Sequence, residues 1–273
     1  MEENLFYFGD ARQALARLAA EGRRVQLCAI DPPYRTGKNF GAYDDRASSE
    51  DYYAMMRQVL QGIYDMLDET GSLFVHIDER THARLRLMLD EIFGENSFRN
   101  EIIWAYRSGG RATGHFSRKH DIILYYVKSD AAYFDAMQDA VPRSGARRNH
   151  MKREVDEQGR SYRTIRSGGR IYRYYDDDLV PPSDVWDDIP HLQQRDPERT
   201  GYPTQKPQRL LERIVKCASR PGDTVLDAFA GSGTTLAAAH ALGRAFIGID
   251  SAPQSLDTIK KRLADADLRI IKL

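Results

Sequence analysis

The chain has 273 residues, 41% of them apolar, and no long apolar run. That fits one large α/β domain, or one domain carrying an insertion, with a real core and no membrane span. The formal net charge is zero, but from Arg99 to Arg173 there are 16 Lys and Arg against 8 Asp and Glu, which leaves the rest of the chain acidic by the same margin. A basic segment inside an acidic chain marks a candidate nucleic-acid contact. Cys28 and Cys217 both lie in apolar patterns, which disfavours a disulfide framework or a Cys-based metal site. With the acidic start Met1-Glu2-Glu3-Asn4, which lacks the basic n-region of a signal peptide, they make a cytoplasmic location the expectation.

In chain order, Val25–Ile30 reads as a buried strand. Residues 49–67 read as a helix, with Met55, Met56, Val59, Leu60, Ile63 and Leu67 on one stripe. Gly71 punctuates, Ser72–Ile77 is the next strand, and residues 81–93 form an amphipathic helix ending at Gly94. This alternation implies a parallel sheet with helices on its faces. Near residue 99 the pattern changes. Residues 102–106 and 122–127 are rich in β-branched and aromatic residues, joined by a basic, glycine-bearing loop, and read as an antiparallel pair. Residues 143–175 are dense in Arg and Tyr with little helical period, and 176–198 are acidic around Pro181-Pro182. Helical periodicity returns at 204 with Leu210, Leu211, Ile214, Val215 and Ala218. A strand at 224–229, an Ala-rich helix ending at Gly243, a strand at 245–250 and a helix opened by Pro253 follow. There are no internal repeats or low-complexity tracts.

Two stretches carry chemistry. Asp31-Pro32-Pro33-Tyr34 directly follows the first strand, so a carboxylate and an aromatic ring are delivered at a strand's C-terminal end by two residues of fixed φ without N–H. That suits a grip on a planar amine; the competing reading is an Asp-Pro turn that only ends the strand. The second stretch is Ala230-Gly231-Ser232-Gly233-Thr234-Thr235, between a strand and a helix, an arrangement that places a ligand at a helix N-terminus. Leu236 stands where a third glycine would complete the dinucleotide fingerprint, and no phosphate-loop Lys follows. Asp227 precedes the loop and Asp250 ends the next strand, where a carboxylate accepts from a ribose diol. Two acids around a glycine turn favour an adenosine with a cationic tail over a phosphorylated ligand; a tight turn with an incidental Asp is the bland alternative. His115, His120, His150 and His191 show no metal-ligand spacing, and no metal is expected.

Together, Asp31-Pro32-Pro33-Tyr34, the segment Asp227–Thr235, and Thr204-Gln205-Lys206-Pro207 with its following Leu210-Leu211 resemble the S-adenosylmethionine-dependent amino-methyltransferases of DNA. The tetrapeptide preceding the glycine loop resembles the β class. Arg35-Thr36-Gly37-Lys38 and Tyr43-Asp44-Asp45 most resemble type III modification subunits and their solitary relatives. The resemblance covers roughly residues 4–135 and 184–265.

It implies a Rossmann-like α/β fold with a mostly parallel twisted sheet and an inserted target-recognition region. Residues 1–106 would be the catalytic half, 107–183 the basic insertion, and 184–273 the cofactor-binding half. The implied reaction moves a methyl group from S-adenosylmethionine to N6 of an adenine flipped out of duplex DNA. Asp31 and the Pro32 carbonyl would accept the two amine hydrogens, Pro33 would stiffen the turn, and Tyr34 would stack on the base. The cofactor would meet Asp10, Asp31, Thr204, Lys206, Asp227, Phe229, Gly231, Ser232, Gly233, Thr234 and Asp250. DNA contacts would come from Arg107, Arg111, Arg118, Lys119, Arg147, Arg148, Lys152, Arg153, Arg163, Arg166 and Arg170. Trp186 would line the cleft. An Asp-first tetrapeptide favours adenine, with N4 of cytosine, RNA or a protein amide as alternatives. Dimerisation is common in the family, and these residues do not say whether a restriction enzyme accompanies the chain.

Overall fold

The computed structural model describes residues 3–34, 48–106, 112–143 and 152–273. Nine strands form the central sheet. In chain order the first half gives β1 (Asn4–Phe8), α1 (Ala11–Ala20), β2 (Val25–Ile30), α2 (Ser49–Met66), β3 (Leu67–Ile77), α3 (His82–Phe93), β4 (Phe98–Ala105) and β5 (His120–Val127). Short strands β6 (Val141–Pro142), β7 (Arg153–Val155), β8 (Ser161–Ser167), β9 (Arg170–Tyr175) and β10 (Leu179–Val180) follow. The chain then returns through β11 (Val185–Trp186), α4 (Gln208–Ala218), β12 (Thr224–Asp227), α5 (Thr234–Ala241), β13 (Ala245–Asp250), α6 (Pro253–Arg262) and β14 (Leu268–Lys272).

The spatial order is β11-β4-β5-β3-β2-β12-β13-β1-β14, and only β5 runs antiparallel to its neighbours. From β2 the chain moves outward to β3, and from β12 outward in the other direction to β13. The β2/β12 seam is therefore the switch point of an open α/β sheet, where ligands bind beyond the strands' carboxyl ends. Parallel strands covered on both faces must be apolar throughout. Every residue of Val25–Ile30 is buried: Val25, Cys28 and Ile30 pack with Leu15, Leu18, Met56, Leu60 and Ile63 of α1 and α2, while Leu27 and Ala29 pack with Leu210, Ile214 and Val215 of α4. Among the described residues, no helix is long and apolar enough to cross a membrane.

The described residues divide into two compact units, one from 1–134 and 184–273, the other from 135–183. The segment 107–183 drawn as an insertion thus differs from the second unit at its start, because His120–Val127 pairs on both sides inside the central sheet. The second unit has its own antiparallel sheet, β7-β8-β9.

The helices end near their sequence signals. Ser48 caps α2 by accepting from Asp51 N–H, Gly94 ends α3 at φ +89°, and Pro253 opens α6. The helix expected from 204 begins only at Gln208, after Pro207. Strands β1 and β14, which have no counterpart among the predicted elements, pair in parallel with each other at the sheet's edge.

Arg213 of α4 is 1% exposed, and its guanidinium donates to both carboxylate oxygens of Asp188 at 2.9 and 2.5 Å. It also lies 5.0 Å from the centre of the buried Trp186 ring. Trp186 thus packs against a cation beside the sheet and does not line the cleft expected for it. The Asp188 side chain is 46% exposed, so the buried member is Arg213, and removing Asp188 leaves that guanidinium poorly compensated. Asp188→Ala is expected to lower stability by about 3 kcal/mol, read as a shifted midpoint in denaturant unfolding.

Candidate functional site

Beyond the carboxyl ends of β1, β2, β12 and β13 lies a cavity of about 480 Å³, within the range of small-molecule sites. It is lined by Asp10, Asp31, Pro32, Pro33, Tyr34, Thr204, Lys206, Asp227, Phe229, Gly231, Ser232, Thr234 and Asp250. The structure therefore gathers the tetrapeptide, the Thr204–Lys206 segment and the glycine loop into one place. Gly233 does not line the cavity; it is the cap residue of α5.

The two strands at the seam set this up. Val225 pairs with Leu27 and Leu226 with Cys28, so Asp227 ends β12 beside the β2 end that leads into Asp31. The Asp31 carboxylate is held on both oxygens: Tyr34 OH donates to Oδ1 at 2.5 Å and Lys206 Nζ to Oδ2 at 2.6 Å. Lys206 also donates to the Tyr34 hydroxyl at 2.9 Å. Burial, with the charges of Asp31 and Asp121 behind it, pushes the Tyr34 phenol well above its ordinary pKa, so it stays a donor. The ammonium of Lys206, expected beside a cofactor's methionine end, thus rests on Asp31.

The glycine loop is built around Asp250. One carboxylate oxygen accepts from Gly231 N–H at 2.8 Å and the other from Ala252 N–H at 2.7 Å. Gly231 adopts φ +50° and Gly233 φ +74°, left-handed conformations that favour glycine. A Cβ at Gly233 would sit 2.8 Å from Ile259 Cγ1. Asp227 Oδ1 accepts from Phe229 N–H at 3.0 Å. Burial, reinforced by the nearby charges of Asp31 and Asp250, still drives its carboxyl up to about 7. Burial also raises Asp250, against the loop amides that hold it. Asp10 caps α1 through Arg12 N–H, and its two oxygens take the Arg12 guanidinium at 2.9 and 2.7 Å. A cavity ringed by acids that lack enough cations is suited to a positively charged ligand, since such a charge relieves the strain of ionising them. Among the described residues, no group of three His, Cys, Asp or Glu could hold a metal ion.

The far wall of the cavity is built from residues outside any motif. His76, near the end of β3, lines the cavity with its ring centre 6.1 Å from that of Tyr34. Its Nε2 lies 3.0 Å from Asp121 Oδ2, and Tyr106 OH donates to Asp121 Oδ1 at 3.0 Å. Burial alone would raise the Asp121 carboxyl, but the hydrogen bond and charge of His76, with Lys206 and Tyr106, hold it below the usual range. Tyr202, Arg12 and Phe74 also line the cavity. The one available signal for His76 was its position near the carboxyl end of a predicted strand.

The basic residues sort by partner. Arg107, Arg111, Arg147 and Arg148 lie outside the described residues, as do Arg35–Lys38 and Tyr43–Asp45. Arg118 pairs with Glu79 at 2.9 Å, and Tyr106 N–H donates to the Lys119 carbonyl. Arg153 and Arg163 share Asp176, each at 2.9 Å. Lys152, Arg166 and Arg170 are exposed and form no ion pair among the described residues.

A family model described as DNA methylase, that of the N6/N4 methyltransferases, matches residues 25–261. The type II methyltransferase M.EcaI of Enterobacter cloacae is 31% identical, over 96% of this chain and 69% of its own. The DNA adenine methyltransferase YhdJ of Escherichia coli K12 is 31% identical, over 91% of this chain and 79% of its own. Among solved structures, the complex of M1.HpyAVI with SAM shares the fold with a TM-score of 0.62 at 21% identity, covering 95% of this chain and 98% of that one. Gly233→Ala would force a side chain into both the left-handed φ and the Ile259 contact. It is expected to lower stability by about 1–3 kcal/mol, measured by denaturant titration.

Proposed function

Because the chain belongs to the N6/N4 DNA methylase family, we propose that it transfers a methyl group from S-adenosylmethionine to N6 of an adenine flipped out of duplex DNA. The observation that carries the reading is the convergence of Asp31, Tyr34, Lys206, Asp227 and Asp250 on one cavity at the sheet's switch point. The relative YhdJ, a DNA adenine methyltransferase, supports adenine as the base.

The residues fit this cofactor. Asp227 and Asp250 supply negative potential for a cation, Gly231 and Ser232 leave room for close approach of the backbone, and Thr204 and Phe229 complete the walls. When bound, S-adenosylmethionine supplies an electrophilic methyl group on a positively charged sulfur. The task left to the chain is to present a poor nucleophile well. An exocyclic amine conjugates its lone pair with the ring; acceptors on both of its hydrogens favour a pyramidal nitrogen with the pair free. Asp31 would take one hydrogen and the Pro32 carbonyl the other. The bonds already made by Asp31 do not forbid this, because each carboxylate oxygen offers two lone pairs and spends one. Tyr34 and Lys206 fix the plane of that carboxylate, so its free lone pairs point one way. Positioning and electrostatics then carry the acceleration.

Base analysis of methylated product DNA tests the choice of base: N6-methyladenine is expected, and N4-methylcytosine would give the reaction to the other branch of the family. Asp31→Ala is expected to lower kcat about 10³-fold while cofactor binding by calorimetry persists; undiminished methylation would remove Asp31 from the mechanism. A second outcome concerns pH. With the Asp227 carboxyl at about 7, a cation binds best to its ionised form. Cofactor affinity should therefore rise with pH up to about 7, by at most about tenfold per unit, and level off above. Asp227→Asn should flatten that slope in the same calorimetric titration.

A further inference from the structure

The second unit carries a charge pattern that composition hides. Residues 160–175 hold five arginines and no acid. The lower half of this hairpin is neutralised by the chain that follows it. Arg160 donates to Asp177 at 3.0 and 2.8 Å, and Arg163 to Asp176 at 2.9 Å. Above Thr164 the compensation stops. Arg166 and Arg170 are exposed, with no acidic partner among the described residues.

The turn is Gly168-Gly169 with φ +57° and +75°, positive at both central positions, as a tight two-residue hairpin requires. Ser167 pairs with Arg170, Arg166 with Ile171, and Ile165 with Tyr172. Each cross-strand pair shares one face, so the distal ribbon offers cationic and apolar groups on both sides. Ile165, Ile171 and Tyr172 are 39%, 57% and 44% exposed. Three such side chains at a tip without acids lack a reason in the fold of the unit itself, and the excess positive charge calls for an anion.

Two paired strands lie about 4.8 Å apart, and the major groove of B-DNA, about 12 Å wide, admits a two-stranded ribbon. We propose that the distal part of the β8–β9 hairpin, residues 165–172, enters the major groove of the target duplex. Arg166 and Arg170 read guanine edges there, and Ile171 lies against a thymine methyl. This rests on the reading of the chain as a DNA methyltransferase and adds to it the element that selects the sequence. The tip goes deepest, so its arginines meet bases, whereas phosphates would be met lower on the ribbon.

The test begins by sequencing methylated DNA from cells that express the intact chain, which defines the preferred site. Steady-state methylation is then measured on that site and on duplexes changed one base pair at a time. Arg166→Ala and Arg170→Ala are each expected to lower kcat/KM on the preferred site about 10- to 100-fold and to relax preference at one base pair. Cofactor affinity should stay at its wild-type value. An equal loss on every duplex, with a shallower salt dependence of binding, would put the arginines on phosphates and overturn the groove assignment. Variants indistinguishable from an active wild type would overturn the hairpin's role altogether. Wild-type protein that methylates no duplex would overturn the functional reading itself.

Discussion

The pairing of β2 with β12 is the contact on which the candidate site depends. Each strand continues outward to a different side of the sheet, and only at their seam do the carboxyl ends of two separate halves meet. Asp31 leaves one strand and Asp227 ends the other. Lys206, 175 residues from Asp31 in sequence, arrives from the approach to α4 to close the cluster. Because the register is parallel and buried on both faces, a one-residue slip would turn each side chain to the opposite helix layer. The site is therefore fixed by core packing well below it.

The same placement loads the cavity with acids in a poorly solvated region. The protein manages this with fixed partners. Loop amides hold Asp250, Arg12 holds Asp10, and Tyr34 with Lys206 holds Asp31. Asp227 has hydrogen bonds but no cation partner among the described residues, and burial raises its carboxyl to about 7. A raised acid binds more protons in the folded state than in the unfolded chain between about pH 4 and pH 7, so its contribution to stability falls as pH rises through that window. A ligand that brings positive charge reverses that cost. Asp227, raised by burial and without a fixed cation among the described residues, therefore gains from any cationic ligand in the cavity.

Much of this was legible in the sequence, and what was not has a common cause. The buried run before Asp31, the glycine loop, the stripe of α2 and the stop at Gly94 are local signals, and the structure has each where the residues indicate, except that Leu67 leaves the α2 stripe to begin β3. Long-range pairing leaves no local trace. Arg213 reads as an ordinary polar residue of a helix until Asp188 and Trp186 close over it, and His76 reads as part of an apolar strand until Asp121 comes alongside. Strand β14 reads as a mixed tail because an edge strand is only partly buried. Composition likewise weights all arginines of the basic segment equally, while in the structure Arg153 and Arg163 pair with Asp176.

The arrangement around Asp31 also narrows what that residue can contribute. A general base must take a proton and keep it through a step of the reaction, which donors already bonded to both carboxylate oxygens oppose. Asp31 instead sits in a closed set of donors, with a hydroxyl on one oxygen and an ammonium on the other. That set removes rotational freedom from the carboxylate and leaves lone pairs in defined directions. In the proposed reaction, an amine whose lone pair must be freed from conjugation needs an acceptor so aimed, more than it needs a strong base. The rigidity of Pro32-Pro33 serves the same end, since it fixes the carbonyl proposed as the second acceptor relative to the first.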